Sequence, residues 1–329
     1  MDGRRPFVLA CNDYDRTRPL RDGRVTCDGI DLTYLPLMVE ETFFRMLRHR
    51  EFDAAELSLS SYVLTLDDPD PAFVAIPVFP SRSFRHSGIY VNPRRGIGEP
   101  ADLAGGRVGV AEYQLTANVW IRGILAEHHD LPFDSVTYVT GGLEDPTRVE
   151  KRALDLPSSI GVQHAPDGRT LARMLDDGEI DAIYSPRTPS TYGNGRVERL
   201  FADPPAAEKA YFELTGLFPI MHVVVIRREI YEDARWLAQS LFKGFNAALA
   251  LTWEPLRDTT ALRYSLPWLV VHAEEMWRLL GPQPWAYGLD ANRENLATFL
   301  RYSYEQGLAG SLREPDALFA PEALESFAL

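Results

Sequence analysis

The chain has 329 residues, of which 45% are hydrophobic and 25% charged, a composition typical of a globular protein with about two domains. Its formal net charge is −13, so we exclude a broad nucleic-acid-binding surface and a polybasic membrane patch. Two cysteines exclude a disulfide framework and a multi-cysteine metal site.

The chain alternates short β-rich runs with segments of helical period, the pattern of α/β layers. PFVLAC predicts a first strand, and EETFFRMLRHR predicts a helix with Glu40 and Glu41 in its first turn. FDAAELSLSSY then predicts a strand in which Glu56, Ser58 and Ser60 share one face. PFVLAC is too short for a secretory signal, and no apolar run reaches the ~18 residues of a membrane span, so we expect a cytoplasmic protein.

A basic cluster follows at 81–96, SRSFRHSGIYVNPRRG, with four arginines, one histidine and no acid. Arg82 and Arg85 lie three residues apart beside His86, where they are suited to grip a carboxylate. The alternative is that both are surface arginines paired with acids. Arg94 and Arg95 follow an Asn-Pro turn and are expected in solvent.

The middle of the chain predicts a strand at 107–111 and a helix with Thr116 at its N-cap, whose free N–H groups favour an anion. Neither GxGxxG nor GxxxxGK[ST] spacing occurs there, so a nucleotide site is not indicated. His128 and His129 end this helix without a third ligand at metal spacing, and are interpreted as favourable charge at the helix end.

Two segments, FDAAELS at 52–58 and IDAIYS at 180–185, repeat the same order of features. In each, a predicted helix is followed by Asp-Ala, a short strand and polar residues. This repeat indicates two similar lobes, with ligands at the carboxyl ends of the strands.

FPIMHVVVIRREIY, at 218–231, predicts the strand that returns to the first lobe, followed by a mostly helical C-terminal part. We place lobe I at 1–98 with 214–329 and lobe II at 99–213, with a hinged cleft between them. The segment 145–170 is predicted to be a loop without a functional motif.

The segments FRHSGIYV, DLAGGRVGVAEYQLTANVWIRG, FPIMHVVV and PWAYGLDANRENL together resemble the 4,5-dihydroxyphthalate decarboxylase family. The resemblance extends from DYDRTRPL to YEQGL. It implies an α/β, two-lobed fold like that of type II periplasmic binding proteins. It also implies non-oxidative decarboxylation of a dihydroxyphthalate to protocatechuate, although the ring substitution of the substrate stays open.

Such a reaction protonates the ring carbon that bears the departing carboxylate, and a para hydroxyl supplies the electrons. His222 and His86 are the candidate proton donors, with His222 favoured, because the two arginines beside His86 disfavour its protonated form. Glu56 is either a ligand-facing acid or, as we favour, the partner of Arg45 or Arg48. The remaining candidates are cleft residues for substrate binding: Ser58, Ser60, Gln114, Thr116, Asn118, Ser185 and Arg187.

We expect no metal and no organic cofactor, and the partner is a small aromatic carboxylate. A homo-oligomer is the other partner arrangement that the sequence allows. The main alternative function is a solute-binding protein for an aromatic acid, against which the missing export signal counts. A second alternative, an enzyme of the pyrimidine-precursor type with a suicidal histidine and iron, lacks its cysteine-rich motif here.

Overall fold

The computed structural model describes residues 3–148 and 154–324. The chain divides into two compact units. The first consists of 1–82, 222–296 and 313–329, and the second of 83–221 and 297–312. Among the described residues, no helix combines the length and the apolar character that crossing a bilayer requires.

The strands run in chain order as follows: β1 (Arg5–Ala10), β2 (Ile30–Leu35), β3 (Ala54–Ser58), β4 (Phe73–Ile76), β5 (Ile89–Val91), β6 (Arg107–Val110), β7 (Thr137–Thr140), β8 (Gly161–His164), β9 (Ala182–Tyr184), β10 (Glu198–Arg199) and β11 (His222–Arg227).

The α-helices are α1 (Arg18–Arg21), α2 (Val39–His49), α3 (Leu59–Thr65), α4 (Thr116–His128), α5 (Leu171–Asp176), α6 (Pro204–Thr215), α7 (Arg228–Asp233), α8 (Trp236–Ala250), α9 (Glu254–Arg257), α10 (Leu269–Leu280) and α11 (Arg293–Glu305). The predicted helix over 40–50 and the helical C-terminal part are confirmed.

The first unit contains a sheet of order β2-β1-β3-β11-β4. β1 pairs in parallel with β2 and β3, whereas β11 pairs antiparallel with β3 and β4. The predicted strands at PFVLAC and within 218–231 are confirmed, and β11 does return the chain to the first sheet. β3 is buried along its whole length, because it lies inside the sheet between β1 and β11.

The predicted strand over FDAAELSLSSY ends earlier than expected. The Ser58 hydroxyl accepts a hydrogen bond from the Ser61 N–H and caps α3, so the chain turns into a helix at Leu59. Ser60 therefore lies on α3, and the prediction that it shares a strand face with Glu56 and Ser58 is wrong.

The second unit contains a sheet of order β10-β5-β9-β6-β7-β8. β6 pairs in parallel with β7 and β9, and the short β5 pairs antiparallel with β9. Residues 83–98 thus supply a strand to this sheet, although the lobe boundaries at 98 and 214 stay a prediction. The repeat of helix and strand predicted at 52–58 and 180–185 is confirmed as secondary structure. β3 follows α2 and belongs to the first sheet, and β9 follows α5 and belongs to the second.

Two details of the second unit differ from the sequence prediction. α4 begins at Thr116 itself, because the Asn118 N–H already donates to the Leu115 carbonyl at 2.8 Å; Thr116 is therefore not the N-cap. The predicted loop 145–170 contains β8, which pairs in parallel with β7. Residues 149–153 of that loop lie outside the described residues.

Candidate active site

The first unit gathers polar side chains at one edge of its sheet, where the parallel strands β1 and β3 end and β11 begins. The register pairs His222 with Ser58 and Val224 with Glu56. Residues two apart on a strand face the same way, so Glu56 and His222 are diagonal neighbours on one face. Cys11 and Asn12 follow directly after β1, which lies next to β3.

Glu56 is the centre of this group, and its side chain is fully buried. Its Oε1 accepts hydrogen bonds from the Tyr14 hydroxyl at 2.8 Å and from His222 Nδ1 at 2.6 Å. Its Oε2 accepts from the Asn12 N–H at 3.1 Å and from Cys11 Sγ at 3.4 Å. A buried carboxylate needs donors of this kind, because burial without them is costly.

These donors set the charge of Glu56. Burial raises its pKa, but the hydrogen bond and charge of His222, with smaller contributions from the Asn12 N–H and Tyr14, outweigh burial and leave the pKa below its ordinary value. The carboxyl group is therefore an anion near neutral pH. Burial raises the pKa values of Cys11 and Tyr14, and the negative charge of Glu56 raises them further. Both side chains therefore remain neutral donors.

His222 is oriented by two contacts. Nδ1 bonds to Glu56, and the ring packs edge-on against Phe43 with centroids 4.9 Å apart. An ionised acceptor at Nδ1 keeps the proton on that nitrogen, so Nε2 is the ring nitrogen that does not bond to Glu56. The side chain is 16% exposed, so the imidazole is shielded but accessible.

The favoured partner of Glu56 in the sequence prediction is wrong. Arg45 bonds to Glu51 at 2.7 Å and to Glu41 at 2.8 Å on the surface, and Arg48 is exposed. Glu56 instead faces His222, because its strand neighbour is β11 and its side chain points to the face that β11 shares.

Three residues that the sequence reading missed lie beside this group. The guanidinium of Arg16 packs between two aromatic rings, 4.1 Å from the Tyr14 centroid and 4.3 Å from the Trp285 centroid. Tyr287, two residues after Trp285, is 7% exposed. For Arg16 the signal was the polar run CNDYDR directly after the buried first strand, because carboxyl ends of parallel strands collect ligand-binding residues.

Arg82 is buried rather than solvated, so the surface alternative for this residue is wrong. Its Nη2 donates to the Ala286 carbonyl at 3.0 Å and to the side chain of Asn292. Burial lowers its pKa to about 9. Arg82 thus anchors the segment that carries Trp285 and Tyr287.

The second unit holds the other basic candidates. Arg85 Nε contacts the Met221 sulfur at 3.1 Å, and burial lowers the pKa of this arginine to about 10. His86 is 2% exposed among aromatic rings, with Phe201 at 5.1 Å and Tyr211 at 5.4 Å between centroids. Burial, with smaller effects from His129 and His128, lowers the pKa of His86 to about 4, so it is neutral near pH 7.

Other predicted binding residues of the second unit form a separate cluster at the start of α4. Gln114 Nε2 donates to Glu112 Oε2 at 3.4 Å, and Asn118 Nδ2 donates to the Glu112 carbonyl at 3.0 Å. Arg148 also bonds to Glu112, at 2.8 Å. Of the remaining candidates, Thr116 and Ser185 are buried and Arg187 is exposed.

Comparison with known proteins identifies the family. No family model matches the sequence. The chain is 43% identical over 321 residues to a 4,5-dihydroxyphthalate decarboxylase of Comamonas testosteroni, covering 97% of both chains. The chain belongs to the 4,5-dihydroxyphthalate decarboxylase family. A second member, 4,5-dihydroxyphthalate decarboxylase of Pseudomonas putida, is 47% identical over 206 residues, which is 62% of this chain and 80% of the relative.

Solved structures confirm the two-lobed α/β fold of this decarboxylase-family chain. Protein AF1704 of Archaeoglobus fulgidus has a TM-score of 0.54 at 14% identity, over 92% of this chain and 98% of its own. The periplasmic aliphatic sulphonate binding protein SsuA of Escherichia coli has a TM-score of 0.52 at 14% identity, over 98% of this chain and 95% of its own. At this identity the likeness shows the fold alone.

Proposed function

We propose that this chain decarboxylates 4,5-dihydroxyphthalate to protocatechuate and CO2 without a cofactor, with His222 as proton donor and Glu56 as the group that orients it. The observation that carries the assignment of roles is the 2.6 Å contact between His222 Nδ1 and Glu56 Oε1. The substrate follows from the names of the two curated relatives. The cytoplasmic location stays a prediction.

The chemistry requires one proton at the right carbon. Direct loss of CO2 from an aromatic ring leaves an aryl anion that nothing stabilises. If the ring carbon is protonated first, the para hydroxyl oxygen supplies electrons and the carbon becomes tetrahedral. The bond to the carboxylate then breaks, CO2 leaves, and the electron pair returns to the ring. The net reaction consumes one proton.

The geometry of the first unit fits this requirement. A protonated His222 delivers its Nε2 proton to the ring carbon, and the anionic Glu56 stabilises the imidazolium before transfer. Afterwards the proton on Nδ1 stays fixed by Glu56, so Nε2 takes up the next proton from water or from a phenol group. His86 is less suited to this role because burial keeps it neutral.

The test measures binding and product formation on the same variants. His222→Gln should bind substrate nearly as the unmodified protein does but form protocatechuate about 100-fold more slowly or worse, the usual contribution of a positioned acid. His86→Gln is the discriminating comparison, because it changes the other candidate histidine. His49→Gln, at the exposed end of α2, controls for histidine loss in general.

Two results would contradict the proposal. Turnover lost in His86→Gln but kept in His222→Gln would assign the proton to the second unit. Tight binding without product from the unmodified protein, with several dihydroxylated phthalates, would favour the solute-binding alternative.

A further inference from the structure

Arg16 is connected to the Glu56 and His222 pair through Tyr14. Its guanidinium lies 4.1 Å from the Tyr14 ring, and the hydroxyl of that ring donates to Glu56 Oε1 at 2.8 Å. The Trp285 ring covers the group at 4.3 Å. Contact with two aromatic rings restricts the movement of a guanidinium, which prepares it for a planar partner.

The hydrogen bonds of Arg16 leave one end open. Nε donates to the Pro80 carbonyl at 2.6 Å, and Nη1 bonds to Asp15 at 3.1 Å. Nη2 has no hydrogen-bond partner within residues 3–148 and 154–324. The Arg16 side chain is 15% exposed and that of Asp15 is 37% exposed. Because water screens the more exposed Asp15, its carboxylate neutralises the Arg16 charge incompletely.

Tyr287 adds a second, independent observation. Its hydroxyl is buried and has no hydrogen-bond partner among the described residues, although buried hydroxyls are normally bonded. Tyr287 comes two residues after Trp285, whose ring centroid lies 4.3 Å from the Arg16 guanidinium carbon. The segment around it is fixed, because Trp285 Nε1 donates to the Phe79 carbonyl at 2.9 Å and the Gly288 N–H to the Pro77 carbonyl at 2.8 Å.

We infer that Arg16 and Tyr287 form the subsite that binds the carboxylate retained in the product, and so determine which aromatic acids are accepted. This inference rests on the proposed function. A carboxylate is the planar anion that matches an open guanidinium edge and a hydroxyl donor. The subsite replaces Arg82 in the carboxylate grip predicted from the sequence, because Arg82 Nη2 is engaged by Ala286 and Asn292.

The experiment compares two ligands that differ only in the retained carboxylate, protocatechuate and catechol, by calorimetry. The unmodified protein should prefer protocatechuate. Arg16→Gln should weaken protocatechuate binding about 10- to 100-fold, the scale of a charge-assisted hydrogen bond, and change catechol binding by less than about 3-fold. Arg21→Gln, an exposed arginine of α1 bonded to Asp13, is the matched control and should change neither.

Tyr287→Phe keeps the inference testable if Arg16→Gln does not fold. Removing a hydroxyl that has no partner should leave the unfolding midpoint unchanged or higher while weakening protocatechuate several-fold. The subsite would be overturned if binding affinity fell equally for protocatechuate and catechol, or if protocatechuate affinity fell in neither variant. CO2 release by the unmodified protein is measured separately. If the unmodified protein releases CO2 but neither variant selectively weakens protocatechuate binding, only the subsite is refuted. If a variant selectively weakens protocatechuate binding but the unmodified protein releases no CO2, only the decarboxylation is refuted.

Discussion

At the scale of single residues, the most informative group is a carboxylate that four donors keep ionised inside a sheet. Tyr14 and His222 share Glu56 Oε1, while the Asn12 N–H and Cys11 share Oε2. A carboxyl whose folded pKa is lowered contributes stability above its unfolded pKa of about 4.3, and loses that contribution as the pH falls through the folded value. The same donors therefore protect both the fold and the orientation of His222 against acid.

Tyr14→Phe tests this role. The change removes a donor that lowers the pKa of Glu56, so that pKa rises and Glu56 takes up a proton at a higher pH. The acid limb of the kcat profile should therefore move to higher pH, with kcat reduced about 10-fold at neutral pH. KM should change little, because the ring that stacks on Arg16 is retained.

Tyr34→Phe is the control for Tyr14→Phe. The Tyr34 hydroxyl donates to the Asn12 carbonyl at 2.7 Å rather than to Glu56. An equal shift of the acid limb in both variants, or no shift in Tyr14→Phe, would contradict the positioning role.

At the scale of elements, strand register and helix packing decide which predicted residues meet. Glu56 reaches His222 because β11 runs antiparallel beside β3 with His222 opposite Ser58. A slip by one residue would turn every side chain of β11 to the other face and separate the pair. In the second unit, α4 and α11 pack closely through Gly123, where an added Cβ would lie 2.1 Å from the ring of Tyr302.

Gly123→Ala should therefore destabilise the protein by about 1–3 kcal/mol, the cost of overpacking, although alanine is the better helix former. The Tyr302 ring cannot yield easily, because it is 2% exposed and its hydroxyl bonds to Glu127 at 2.5 Å. Urea denaturation measures the effect. Gly123→Ala combined with Tyr302→Ala should lose less stability than the sum of the two single variants. An unfolding midpoint unchanged in Gly123→Ala would show that the helices separate without cost.

At the scale of the whole molecule, the proposed reaction needs only the chain and its substrate. The para hydroxyl of the substrate supplies the electrons and an imidazole supplies the proton, so neither an electron sink nor a Lewis acid is required. Dialysis against a chelator should leave kcat within about 2-fold of the untreated protein, given that the proton donor alone accounts for 100-fold or more. Loss of turnover that a divalent ion restores would contradict this expectation.

The sequence by itself determined the alternation of strands and helices, the return of 218–231 to the first sheet and the family. Hydrophobic period and chain order are local properties, and a resemblance along the whole chain needs no coordinates. Only the tertiary structure decided that Glu56 faces His222 rather than Arg45, that Arg82 is buried, and that Arg16 lies between Tyr14 and Trp285. Two of these contacts join distant parts of the chain: Glu56 and His222 are 166 positions apart, and Arg16 and Trp285 are 269 apart. Strand register and side-chain packing fix such pairs, and neither is encoded in the spacing of residues along one chain.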